Sequence, residues 1–168
     1  MCKNKNFEQK TIDMTVTDDG NFLSPYSEDG KPVISSEVAD FLENAAKAYR
    51  PKDTLVVSIH GDCIDDCEKK KYAAAIKNYY TLKKNEEERE LRRKTAASVI
   101  FAVIGIIALA VMFILSDFNV NEVWKECIDI FAWVFVWEAV DLFFIERGAI
   151  AVRKKRCENF SEAEIRFE

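Results

Sequence analysis

Glycine and proline are scarce in this chain, with five and three among 168 residues. So few glycines leave little room for the backbone cradle of a phosphate-binding loop, and no glycine-rich loop of that kind occurs. Histidine occurs once, at His60, with no HExxH and no Ser/His/Asp order around it. There is no basic excess either. The formal net charge of -5 is spread over both halves, which excludes the electrostatic footprint of a nucleic-acid binder. Cys2, Cys63, Cys67, Cys127 and Cys157 are odd in number and scattered, so they form no disulfide framework. The opening MCKNKNFEQK has no apolar stretch of the sort a cleavable signal peptide needs. These absences point away from an enzyme, and no cofactor is expected.

What is present is a long apolar run. Residues 95–116 (TAASVIFAVIGIIALAVMFILS) carry no charge. As a helix this run reaches about 33 Å, enough for a hydrocarbon core of about 30 Å. A core helix of a soluble domain would be shorter and would keep a polar face, so the run is expected to be a first transmembrane helix that also serves as the insertion signal. A second run, CIDIFAWVFVWEAVDLFFI, begins at Cys127 and is interrupted by Asp129, Glu138 and Asp141. Its large apolar residues surround the whole helix instead of forming a stripe, which predicts a second span over residues 127–146.

The flanking charges orient the pair. Lys83, Lys84, Arg89, Arg92, Arg93 and Lys94 precede the first span, and Arg147, Arg153, Lys154, Lys155 and Arg156 follow the second. The connecting residues 117–126 hold only Lys125. The positive-inside bias therefore puts both termini in the cytoplasm and a short loop outside, with Trp124 in the outer interfacial belt.

Residues 1–82 have the pattern of a small α+β domain. Residues 11–17 alternate as a strand with Ile12, Met14 and Val16 on one face, ended by the turn residues Asp18, Asp19, Gly20 and Asn21. Ser35 or Ser36 can cap a helix whose apolar positions are Val38, Phe41, Leu42, Ala45 and Ala46, with Pro51 beyond its end. TLVVSIH, residues 54–60, is the best strand in the chain. From Ile64 a helical pattern places Ile64, Tyr72, Ala75, Ile76 and Tyr79 on one side. Neither glycine nor proline interrupts it before Phe101. One nearly continuous helix is expected from Ile64 to Ser116, passing through the charged juxtamembrane residues 83–94, where Glu88–Arg92 and Glu90–Lys94 make i,i+4 pairs. Residues 147–168 supply a basic flank and a tail. In that tail Ala163, Ile165 and Phe167 alternate with charges, either as a strand added to the N-terminal sheet or as a frayed helix end.

Glu138 and Asp141 are the candidate functional residues. Three apart on a helix, their carboxylates can converge on one side. An ionised group at the bilayer centre costs at least about 2.5–3.5 kcal/mol and so needs a partner, water or a proton. The first span offers only Thr95 and Ser98 at that depth, while Arg92, Arg93 or Lys94 can reach inward as charge partners. Otherwise the acids face a second copy or a membrane partner. Ser98, Ala102 and Gly105 form a small-residue face suited to close helix packing.

His60, Cys63 and Cys67, with Asp62, Asp65 and Asp66 among them, have a superficially metal-like spacing. A structural zinc site takes four Cys/His ligands, often as paired CxxC units, and this set falls short. A strand end, a turn and a helix N-terminus whose acids suit the helix dipole explain the same residues.

EVWKECIDIFAWVFVWEAVDLFFIER resembles a stretch of small two-span bacterial membrane proteins with no known activity, and PVISSEVADFLENAAKAY and LVVSIHGD are similar in kind. The resemblance covers most of residues 10–168 and implies a bacterial cytoplasmic membrane as the setting. The expectation is thus a small cytoplasmic α+β domain joined by a long continuous helix to a two-helix transmembrane hairpin. Its partners would be membrane lipid and either further copies of itself or an unidentified membrane protein. The leading function is a non-enzymatic accessory, scaffold or sensory module. The alternative is a small oligomeric channel or proton/cation-coupled carrier using Glu138 and Asp141.

Overall fold

The computed structural model describes residues 9–28, 30–61, 63–116 and 121–168. Its elements are β1 (Gln9–Thr15), α1 (Ser36–Ala46), β2 (Thr54–His60), α2 (Asp66–Ser116), α3 (Glu122–Val140), a π-helical turn (Asp141–Glu146), α4 (Arg147–Ser161) and β3 (Glu164–Phe167). The chain divides into two units, Met1–Glu86 with Val152–Glu168, and Glu87–Ala151. The last residues are therefore part of the first unit and not a separate tail.

The first unit is mixed helix and sheet. Its three strands lie in the order β1-β2-β3 and are parallel throughout. Helices lie between successive strands in the chain, so the order of elements is closer to an α/β arrangement than to the segregated α+β pattern expected. The central position of β2 explains its composition. Leu55, Val56, Val57, Ser58 and Ile59 are all buried, as in a strand covered on both faces. Only β1 and β3, at the edges, keep the alternation that the sequence displays. Strand β1 starts at Gln9 and pairs with Thr54, two residues ahead of the expected start, because its register follows β2.

Local chemistry sets the helix ends. Ser35 caps α1 by accepting the Val38 N–H. At the start of α2, Glu68 Oε2 accepts the Asp65 N–H at 2.9 Å, the backward half of a capping box. Asp66 also lies in the first turn, where it pairs with Lys69 at 2.7 Å, so these acids serve the helix start; Asp62 lies outside the described residues.

The core joins segments far apart in sequence. Tyr80 of α2 stacks on Phe160 of α4 at 4.3 Å between centroids, and Tyr72 stacks on Phe22 at the same separation. Tyr80, not Tyr79, is the fully buried tyrosine, and Ala39, not Phe41, turns inward from α1. In both cases the inward residue is set by the neighbour it meets, which helical spacing alone leaves within one or two positions. Asn159 donates from Nδ2 to the carbonyls of Pro51 and Asp53, fixing the end of α4 to the loop before β2. Burial, reinforced by a hydrogen bond to Asp19, pushes the Tyr72 hydroxyl up, and burial does the same to Tyr80. Lys155, and with it Lys84, holds the Glu158 carboxyl below its usual range despite some desolvation.

In the second unit, α2 continues without a break, so that the element is 51 residues long. Among the described residues it is the one helix long and apolar enough to cross a membrane, and 11% of its most apolar window is buried. The following helix begins at Glu122, five residues before the expected start. Asn121 caps it by accepting the Val123 N–H at 3.1 Å. Of the expected loop, residues 117–120 lie outside the described residues.

Candidate functional site

The apolar part of α2 packs on α3 through its small residues. Ser98 is buried and donates its hydroxyl to the Ala139 carbonyl at 3.1 Å. A Cβ added to Gly105 would lie 2.8 Å from Val136 Cγ2 and 3.3 Å from the Val136 backbone nitrogen. Ala132 and Ala139 are the buried residues of α3 on its side of this contact. Ala102 sits between Ser98 and Gly105 and is half-buried. The small-residue face thus serves a contact within the chain. Replacing Gly105 with leucine is expected to destabilise the unit by about 1–3 kcal/mol, the usual range for overpacking, because a backbone nitrogen cannot swing aside as a side chain can. Thermal unfolding in mild detergent measures this, and an unchanged midpoint would contradict the contact.

The predicted acids lie off this contact, Glu138 near the end of α3 and Asp141 at the first position of the π turn. Glu138 is exposed and Asp141 is half-buried. Their neighbours Ala139 and Leu142 take the buried positions. Among the described residues, neither carboxylate has a side-chain partner. The proposed cations go to other groups. Lys94 pairs with Glu146, and Arg92 pairs with Glu88 at 2.7 Å. Neither Asp141 nor Glu90, the i,i+4 neighbour, is the partner of Lys94. The reason is geometric: Glu146, the last residue of the π turn, is the carboxylate brought level with Lys94. Arg93 meets no carboxylate among the described residues.

Asp141 opens the six-residue π turn. The wider turn is visible at its end, where the Arg147 N–H reaches the Leu142 carbonyl, five residues back. Ser98 therefore supports a carbonyl at the entry to this irregular segment. Turns of this kind occur often at functional sites, and no periodicity in the sequence marks this one.

The first unit also holds a cleft whose residues are far apart in sequence. Thr15, Thr17, His60, Gly61, Cys63 and Glu168 line a cleft of about 590 Å³ at the carboxyl ends of the three parallel strands. His60 stands between Asp13, 3.7 Å from Nε2, and Glu168, 4.0 Å from Nδ1. Cys63 Sγ turns to the Val16 carbonyl. Gly61 is required here because a Cβ would approach the Val16 carbonyl to 2.8 Å. Strand ends of a parallel sheet are where such folds place ligands. Among the described residues no group of three His, Cys, Asp or Glu is arranged to hold a metal ion. Finding this cleft from the sequence would require knowing that residues 164–167 join β2.

No family model, no curated protein and no solved structure matches this chain.

Proposed function

We propose that the chain is a two-pass integral membrane protein, with both termini in the cytoplasm of a bacterial cell, that works as a non-enzymatic scaffold, accessory or sensory module through contacts between membrane helices. The pairing of β3 with β2 supports two passes. If α2 crosses the bilayer, the chain must recross it before residue 164 to rejoin the sheet it left at residue 60. The second helical run is the segment available for that return, even though its three acids make it the less apolar of the two. The cations flanking both runs favour the cytoplasm as the shared side. Large exposed apolar side chains such as Trp137 and Phe144, at 68% and 69% exposure, suit a lipid environment.

The observation that carries a partner-dependent role is the exposure of Glu138 beside the unpartnered Asp141. Carboxyl groups at this depth favour a neighbouring helix over hydrocarbon. Further copies of the chain are the simplest source of that helix. In lipid nanodiscs the protein is expected to be oligomeric by light scattering. Glu138→Gln with Asp141→Asn should weaken assembly by about tenfold, as expected for polar contacts of about 0.6–1.7 kcal/mol each. A wild-type chain that stays monomeric in bilayers, with no other protein associated, would sink the proposal. A second reading, a cation or proton path, is favoured by the coincidence of Asp141 with the π turn. It requires that vesicles containing the wild type conduct, and that the same double substitution stops conduction while leaving assembly intact.

A further inference from the structure

We propose that the groove between α2 and the π turn is a binding site for one acidic phospholipid, with an acyl chain in the groove and the phosphate on Arg147. This rests on the membrane reading above and adds a ligand to it. The groove measures about 380 Å³, and its walls include Ala102 and Ile106 of α2 with Val140, Phe143 and Phe144 of the opposite run. Those walls are apolar, and the small Ala102 side chain leaves the space between the helices open.

A cation lies against one of these wall residues, Phe143. The Arg147 guanidinium lies over the Phe143 ring, 4.8 Å from its centroid. The stack fixes the planar group on a wall residue and does not use its N–H donors. Among the described residues Arg147 has no carboxylate partner, whereas its neighbour Glu146 is neutralised by Lys94. A free guanidinium on a wall residue of an apolar groove complements a phosphodiester joined to an acyl chain, and planar donors of this type suit phosphate oxygens. A helix from a second copy could fill the apolar part, whereas a phospholipid supplies the acyl chain and the anion in one molecule. The expected protein contact also lies elsewhere, since Glu138 is turned about 200° around the helix from Val140.

The test uses the full chain extracted in mild detergent, stripped of lipid and followed by native mass spectrometry. Phosphatidylglycerol and phosphatidylcholine with the same acyl chains are added separately, and inorganic phosphate serves as a competitor. The expected result is one retained phosphatidylglycerol, bound about fivefold more tightly than phosphatidylcholine, the usual effect of one basic residue at an anionic lipid. Arg147→Gln should remove the preference and leave weak binding of both lipids. Val140→Trp, which fills the groove from a part-exposed position, should weaken both. Equal binding of the two lipids by the wild type, or a preference that survives Arg147→Gln, overturns the site. Displacement by millimolar inorganic phosphate would assign the site to free anions and overturn the acyl-chain component. If Val140→Trp changes the oligomeric mass but not lipid uptake, the groove belongs to a second copy and the proposal is wrong. Recovery of the chain in the soluble fraction overturns the membrane reading as well, whereas a membrane-bound chain without headgroup preference overturns this inference alone.

Discussion

Phe160→Ala is expected to destabilise the first unit by about 3–5 kcal/mol, the range for truncating a fully buried aromatic. Phe160 is 1% exposed and stacks on Tyr80 of α2. It lies between two further attachments of the C-terminal segment, the Asn159 bonds to the loop before β2 and the pairing of β3 with β2. A cavity at this point removes packing from the very residues that bring the end of the chain back to the sheet. Because a domain holds only about 5–15 kcal/mol in total, the loss is a large share of its stability. Early cleavage by a protease in residues 152–168, together with a lowered thermal midpoint in detergent, is the expected signature. Phe160→Leu, which keeps most of the volume, should recover much of the difference. Wild-type protease resistance in Phe160→Ala would mean that α4 does not hold this unit together.

Deleting Phe144 is expected to be tolerated, whereas deleting Val134 should abolish the folded second unit. A π turn is in effect an α-helix with one residue too many, so removing an exposed residue from the segment 141–146 restores α-helical geometry and leaves the flanking residues in phase. Deleting Val134 has no such outlet. Everything after it turns by about 100° relative to what precedes it. Ala132 could then stay at the Gly105 contact only if Ala139 left Ser98, stranding a buried hydroxyl. Yield and monodispersity after detergent extraction, followed by thermal unfolding, separate the two deletions. Equal behaviour would show that the π turn does not absorb a residue.

Much of the fold could be read from local pattern. The run TLVVSIH coincides with β2, since a β-branched stretch between Asp53 and Gly61 has few other conformations open to it. The unbroken helix of residues 66–116 follows from the absence of glycine and proline through most of its length. The faces of the elements were less legible. Tyr79 and Tyr80 lie 100° apart on the helix, and only the ring of Phe160 decides which is buried. The same limit applied to the candidate site. Glu138 and Asp141 stand out in an apolar run, but the shift of Lys94 to Glu146, the π turn and the cleft at His60 depend on residues distant in sequence.

By itself the sequence determined the two longer strands, the helix after Ser35, the long helix to Ser116 and which run is long and apolar enough to cross a bilayer, because propensity, chain breakers and hydropathy act over a few residues. Tertiary structure alone decided that the strands are parallel, that the last four-residue strand joins the central one, and that Ser98 and Gly105 of α2 meet Ala139 and Val136 of α3 while Glu138 of α3 stays exposed. Those outcomes depend on which surfaces meet. Burial is won or lost between elements distant along the chain, and no local window contains both of them.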